Sequence, residues 1–222
     1  MAKLYFRHGA MNSGKSTALL QAAYNYEERG QQVLLAKPEV DTKGESLIVS
    51  RLGVTRPVDF TIARDEDIYS VFAKHRARVQ RATGLDVSCL LVDEAQFFTE
   101  TQVDDLLRIA ILEGVPVLAY GIRTDFQTVA FPGSRRLLEI AHSLEELKTI
   151  CRCGRKAMFN ARTLDGVFVF DGDQVAIDDG VEVTYESLCG KCYLEESDGV
   201  LNNGRRPRAS FAYSDEPDPD FT

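Results

Sequence analysis

The stretch Gly9-Ala10-Met11-Asn12-Ser13-Gly14-Lys15-Ser16 most constrains the fold of this chain, because it demands a strand before it and a helix after it. In the pattern G-x-x-x-x-G-K-S the two glycines let the backbone fold round phosphate oxygens, and the N–H groups of the loop turn inward as donors. Leu4-Tyr5-Phe6 supplies the strand and Thr17-Ala18-Leu19-Leu20 opens the helix. Leu19, Leu20, Ala22, Ala23 and Tyr26 lay an apolar stripe along that helix, and Gly30 follows as its stop. Lys15 has the length to reach β- and γ-phosphates, the Ser16 hydroxyl suits Mg²⁺, and the helix dipole adds positive potential. A Gly-Lys-Ser turn capping an ordinary helix is the plainer alternative, but it leaves the strand, loop and helix context unexplained.

This local preference for a nucleoside triphosphate sits in an acidic chain. With 222 residues and a formal net charge of −8, the protein has length for one main core and a small satellite, and its charge argues against non-specific nucleic-acid binding. No apolar run approaches the roughly 20 residues of a membrane span, and Met-Ala-Lys-Leu lacks a signal-peptide core, so a cytoplasmic protein is expected.

Strand-like runs at Leu4–Phe6, Val33–Ala36, Cys89–Val92 and Val117–Tyr120 alternate with helical patterns near residues 16–29, 65–81 and 100–112. That alternation predicts a parallel sheet flanked by helices. Thr99 and Gln102 form a capping box for the third helix, which Gly114 and Pro116 end. Residues 41–61, polar and carrying Lys43, Arg51 and Arg56, read as a mobile loop over the nucleotide site or as a solvated connection. Beyond Ile150, Asp-Gly pairs at 165–166, 171–172 and 179–180 mark hairpin turns of a small β-domain. The expected division is therefore 1–150 for the nucleotide-binding domain, 151–194 for the small β-domain and 195–222 for a tail lacking apolar periodicity.

Leu90-Leu91-Val92 runs into Asp93-Glu94-Ala95-Gln96-Phe97-Phe98, which places two carboxylates at the C-terminal end of a buried strand expected beside the phosphate-loop strand. Asp93 suits Mg²⁺ or its waters, leaving Glu94 to accept a proton from an attacking oxygen. In an ATPase motor that oxygen is water; in a small-molecule kinase it is an acceptor hydroxyl. The chain is short for a two-lobed motor, and it holds a second feature that motors do not require. Cys151-Arg-Cys153 and Cys189-Gly-Lys-Cys192 offer four thiolates in two short clusters, matching a closed, structural tetrahedral Zn²⁺ site; a redox pair or accidental cluster is the alternative. The fifth cysteine, Cys89, falls in a predicted strand as a core thiol.

Taken together, the phosphate loop, Asp93–Phe98, Tyr120-Gly-Ile-Arg-Thr-Asp-Phe-Gln127, Leu147–Ala157 and Tyr185–Cys192 closely resemble the type II, zinc-containing thymidine kinases in their bacterial form. The resemblance runs in unbroken order from about residue 3 to 194. It implies an α/β fold in which a RecA-like parallel sheet flanked by helices carries a small zinc-binding lasso domain. It implies transfer of phosphate from ATP to thymidine with Mg²⁺, a homotetramer, feedback inhibition by dTTP, and no nucleic-acid polymer or membrane as partner. Carried over residue by residue, Gly9, Ala10, Met11, Asn12, Ser13, Gly14, Lys15 and Ser16 bind the ATP phosphates together with Asp93, Glu94, Ala95 and Gln96, and Glu94 is the base. Met11, Gln96, Phe97, Phe126, Phe131, Asn160, Arg162, Gln174, Ala176, Asp178 and Tyr185 are implied to face the nucleoside. Two features depart from the family pattern. Gln174-Val-Ala-Ile177 is followed by Asp178-Asp179-Gly180 where Val/Ile-Gly-Gly is usual, and Lys43 replaces a common arginine, keeping charge while losing the bidentate fork.

Two other function classes fit some of these features. A zinc-stabilised P-loop ATPase acting on nucleic acid predicts hydrolysis stimulated by a polymer and indifferent to thymidine. A non-catalytic nucleotide sensor predicts ATP binding without turnover.

Overall fold

The computed structural model describes residues 1–39, 46–172 and 182–201. Lys43, Gln174, Ala176, Asp178, the Asp179-Gly180 pair and the segment from residue 202 onward lie outside the described residues. In chain order the elements are β1 (Leu4–His8), α1 (Lys15–Glu27), β2 (Gln32–Pro38), β3 (Leu47–Val49), β4 (Thr55–Pro57), β5 (Phe60–Ile62), α2 (Ile68–Thr83), β6 (Val87–Val92), α3 (Glu100–Leu112), β7 (Val117–Gly121), α4 (Pro132–Ile140), β8 (Ser143–Glu146), β9 (Thr149–Ile150), β10 (Lys156–Ala157), β11 (Phe159–Leu164), β12 (Val167–Val169), β13 (Val183–Leu188) and α5 (Gly190–Glu196). A single 3₁₀ turn, Ala95–Phe97, follows β6.

Six strands form one parallel sheet in the order β5-β2-β6-β7-β1-β8. Strand side chains alternate between faces, so each central strand feeds two cores. Leu4, Phe6, Leu34, Ala36, Leu90, Val92, Val117 and Ala119 meet Phe72 of α2, Val103, Leu106 and Ile109 of α3, and Leu137 of α4. Val33, Leu35, Cys89, Leu91, Leu118 and Tyr120 meet Leu19, Leu20 and Ala23 of α1 on the other side. Each fully buried aliphatic side chain contributes about 1.5–3 kcal/mol of transfer free energy, so these two layers are the main source of stability. The expected capping box is present: Thr99 Oγ1 accepts from Gln102 N at 3.2 Å, and Gln102 Oε1 accepts from Thr99 N at 3.1 Å.

Three expectations change. The strand carrying Asp93 is not beside the phosphate-loop strand: β7 separates β6 from β1, pairing with both. Residues 46–62 are not a loop. They form the β3–β4 hairpin, whose Ile48 inserts into the α1-side core, and then β5, which joins the sheet edge. Arg56 there is committed to a bidentate pair with Glu27 of α1, at 2.8 and 2.5 Å, instead of reaching toward phosphate. Finally, Asp165 (φ 48°) and Gly166 (φ 80°) do make the tight turn between β11 and β12, whereas Asp171-Gly172 forms a bend at the end of the described segment.

In the cysteine-bearing part, β12-β11-β13 form an antiparallel sheet, and Ala161, Leu188 and Tyr193 pack with Phe159, Phe168 and Phe170 beneath the thiols. Its closing helix, α5, runs through Glu196. The Tyr193 hydroxyl donates to the Phe126 carbonyl at 2.6 Å, tying this sheet to the segment after β7. Among the described residues no helix is long and apolar enough to cross a membrane.

Gly133, in the first turn of α4, sits where an added Cβ would approach the carbonyls of Ala95, Phe98 and Gln96 at 2.6, 2.7 and 2.9 Å. Those carbonyls belong to backbone and cannot swing away. Gly133→Ala is therefore expected to lower stability by about 1–3 kcal/mol, the range for overpacking, read as a shift in the midpoint of denaturant unfolding.

Candidate active site

The phosphate loop leaves β1 at Gly9, whose N–H donates to the Gly121 carbonyl at 3.3 Å. A Cβ on Gly9 would lie 2.5 Å from the Leu147 carbonyl oxygen and 2.3 Å from Ser13 Oγ, so only glycine fits. Gly14 is required for a different reason, its φ of 78°, and Asn12 also adopts a left-handed conformation at φ 67°. The helix begins at once, Ala18 N donating to the Gly14 carbonyl at 2.9 Å. Lys15 is buried, with Nζ 3.1 Å from the Ala10 carbonyl oxygen and 3.5 Å from that of Gly9. Burial pulls its pKa below the usual lysine value, opposed by the carboxylates of Glu94 and Asp93. The Ser13 hydroxyl oxygen is buried in the loop without a hydrogen-bond partner among the described residues. A desolvated cation and a buried, unsatisfied hydroxyl at the head of a helix are the chemistry that a bound phosphate completes.

Asp93 extends β6 by one residue, its N–H donating to the Ala36 carbonyl at 3.0 Å. Burial together with neighbouring Glu94 pushes the pKa of its carboxyl up to about 7, against the opposing pull of the nearby Ser16 hydroxyl. Two adjacent carboxyls beside a serine at the head of α1 form a donor set that fits a divalent cation, whose charge would hold Asp93 ionised. Glu94 takes φ 50°, an unusual conformation for a residue with a side chain, and its N–H donates to Asp93 Oδ1 at 3.0 Å. Gln96 fixes the Glu94 carboxylate: Nε2 donates to Glu94 Oε2 at 2.6 Å while Oε1 accepts from Ile122 N at 3.1 Å. Gly121 makes room for this amide, since a Cβ there would lie 2.7 Å from Gln96 Oε1.

The remaining expected residues fall into two groups. Phe97 and Phe131 meet edge to face, ring centroids 5.5 Å apart, where α4 abuts the 3₁₀ turn. On the antiparallel sheet, Asn160 pairs with Ser187 and Arg162 with Tyr185 across β11 and β13, so all four share one face. That face looks onto the phosphate loop and the segment after β7. Asn160 Oδ1 accepts from Met11 N at 2.7 Å and its Nδ2 donates to the Thr124 carbonyl at 2.9 Å; the Arg162 guanidinium lies 3.7 Å over the buried Phe126 ring. Three residues at this junction were not anticipated from the sequence. Ser187 donates to the Met11 carbonyl, Tyr193 anchors Phe126, and Gln127 Nε2 donates to the Gly172 carbonyl at 2.6 Å. Strand alternation from Tyr185 would have marked Ser187; nothing local marks the other two.

The four expected thiols converge. The sulfurs of Cys151, Cys153, Cys189 and Cys192 lie within 4.8 Å of one another, with Cys153 and Cys189 at 3.5 Å, close to the about 3.8 Å that tetrahedral zinc–sulfur bonds of about 2.3 Å require. The first pair sits on a tight turn closed by Gly154 N to the Cys151 carbonyl at 2.8 Å, and the second at the start of α5. The Cys192 N–H draws the Cys189 thiol down to about 6, while Cys192, hydrogen-bonded to Cys153, is pushed up to about 12. Four thiols so close share protons unless a cation ionises them together. Cys89 is buried in the sheet, far above the usual thiol pKa because of desolvation, and is a core residue.

The family model described as thymidine kinase matches residues 2–193. Thymidine kinase of Legionella pneumophila (strain Paris) is 46% identical over 191 residues, covering 85% of this chain and 88% of that protein. Thymidine kinase of Enterobacteria phage T4 is 45% identical over 197 residues, covering 88% and 97%. That of Idiomarina loihiensis is 48% identical over 198 residues, again covering 88% and 97%.

From the thiol geometry the purified protein is expected to carry one zinc per chain by elemental analysis. Cys192→Ser should abolish stoichiometric zinc and lower the thermal midpoint, because the small core under the thiols is too thin to hold the sheet alone.

Proposed function

The chain belongs to the thymidine kinase family and has thymidine kinase activity, and we propose that it moves the γ-phosphoryl group of ATP to the thymidine 5′-hydroxyl with Glu94 as general base. In this reading Gly9, Ala10, Met11, Asn12, Ser13, Gly14, Lys15 and Ser16 hold the ATP phosphates, with Asp93, Glu94, Ala95 and Gln96 bordering them. Ser16 and Asp93 would hold Mg²⁺, which would supply positive charge to offset that of the phosphates.

One observation carries the reading. Two adjacent carboxyls have different settings: Asp93 is buried near the Ser16 hydroxyl of the phosphate loop, on the metal side of this reading, while Glu94 is aimed by the Gln96 amide. Gln96 in turn is held by the backbone after β7, which keeps the base in place before substrate arrives. Lys15 offsets negative charge that grows on the transferring group, and little covalent chemistry is required of the protein beyond positioning and proton acceptance.

Met11, Phe97, Phe126, Phe131, Asn160, Arg162 and Tyr185, with Gln174, Ala176 and Asp178, surround the nucleoside in this proposal. The antiparallel sheet supports that assignment by turning Asn160, Arg162 and Tyr185 toward the loop and Phe126. A structural Zn²⁺ on Cys151, Cys153, Cys189 and Cys192, a homotetramer, inhibition by dTTP and a cytoplasmic location complete the proposal.

The test is transfer of labelled γ-phosphate to thymidine, beside deoxycytidine, deoxyguanosine and no acceptor. Wild type is expected to label thymidine alone, and Glu94→Gln to lose about 10²–10⁴-fold in kcat while still binding ATP. Release of labelled phosphate without acceptor at the same rate would overturn the assignment.

A further inference from the structure

Met11 of the phosphate loop has its backbone donor and acceptor both held by side chains from the cysteine-bearing sheet: its N–H by Asn160 of β11 and its carbonyl by Ser187 of β13. These two side chains face each other across the strand pair, so they grip the residue as a unit. Both are buried, and Asn160 also spans to the Thr124 carbonyl, which fixes its amide from the opposite end.

The consequence falls on the next peptide. A trans peptide is planar, so fixing the direction of the Met11 carbonyl fixes the Asn12 N–H in the opposite direction, away from β13. It also sets φ of Asn12, which stands at 67°. That conformation is unfavourable for a residue with a side chain and persists only where surrounding contacts impose it. Within the loop, Ser13 N is already used by the Ala10 carbonyl at 3.2 Å. Asn12 N–H has no hydrogen-bond partner among the described residues, and its aim depends on Ser187.

We propose that Ser187 and Asn160 are positioning residues for the phosphate loop, holding the Met11–Asn12 peptide so that Asn12 N–H presents to a bound phosphate. The antiparallel sheet thereby sets the affinity of the loop for ATP as well as carrying nucleoside-facing groups. This rests on the reading that residues 9–16 hold ATP phosphates.

The decisive variants are Ser187→Ala, which removes only the hydroxyl, and Ser187→Thr, which retains one. Calorimetric titration with ATP and Mg²⁺, without thymidine, measures binding directly, so the result does not depend on turnover and stands apart from the kinase assay. Ser187→Ala is expected to raise the Kd for ATP about tenfold, with Ser187→Thr recovering most of it. The KM for thymidine, which Met11 also lines, should rise less than the Kd for ATP, and zinc content should be unchanged. Hydrogen exchange of a peptide covering residues 9–16 should quicken in Ser187→Ala and return to the wild-type rate in Ser187→Thr. Wild-type ATP affinity in Ser187→Ala would overturn the proposal, as would equal weakening of ATP and thymidine together with loss of zinc or folding, the mark of a merely structural role. No ATP binding by the wild-type protein would instead overturn the phosphate-site reading beneath it.

Discussion

A buried ammonium group dictates much of this site. Lys15 sits at the head of α1 with its charge against the carbonyls of its own loop, where little water reaches it. A lone buried cation is costly, and the structure answers it with Asp93 and Glu94 on a strand that β7 separates from β1. Burial, with Glu94 alongside, in turn raises the proton affinity of Asp93. One ammonium thus faces two adjacent carboxyls, so the charges do not cancel within the site. The order of strands serves this arrangement, since parallel strands bring their C-terminal ends to one edge of the sheet.

The turn after β6 is held by shape as much as by charge. Glu94 is bent into a left-handed conformation, Gln96 bridges its carboxylate to Ile122, and Gly121 and Gly133 admit the turn by lacking side chains. Backbone strain at Glu94 is sustained because the 3₁₀ turn, the backbone after β7 and α4 agree on its position. A carboxylate placed this way loses little freedom when a ligand binds, which is how positioning lowers a barrier.

The cysteine-bearing sheet meets the parallel-sheet layer through polar contacts directed at backbone: Asn160 and Ser187 on Met11, Asn160 on Thr124, Tyr193 on Phe126, Gln127 on Gly172. Such bonds depend on direction, so they set register between two layers more sharply than apolar packing does. The aromatic cluster beneath the thiols supplies the adhesion, and the polar contacts supply the alignment.

Local chemistry made several elements legible in the chain itself. The phosphate loop, the apolar strands, the Thr99–Gln102 cap and the four thiols each follow from short-range rules of periodicity, capping or ligand spacing; the Asp93-Glu94 pair ends its strand as those rules require, but one strand further from β1 than expected. What escaped them depends on partners distant in sequence. The acidic strand β8 carries no apolar alternation and exists because β1 offers it an edge. The polar segment before β5 is a hairpin because Ile48 finds the core of α1. The insertion of β7 between β6 and β1, and the grip of Ser187 on Met11, join groups that no window of sequence contains together. Spacing determined which chemical groups this protein owns; only the tertiary structure decided which of them touch, because burial, strand order and the direction of each hydrogen bond are properties of the packed chain.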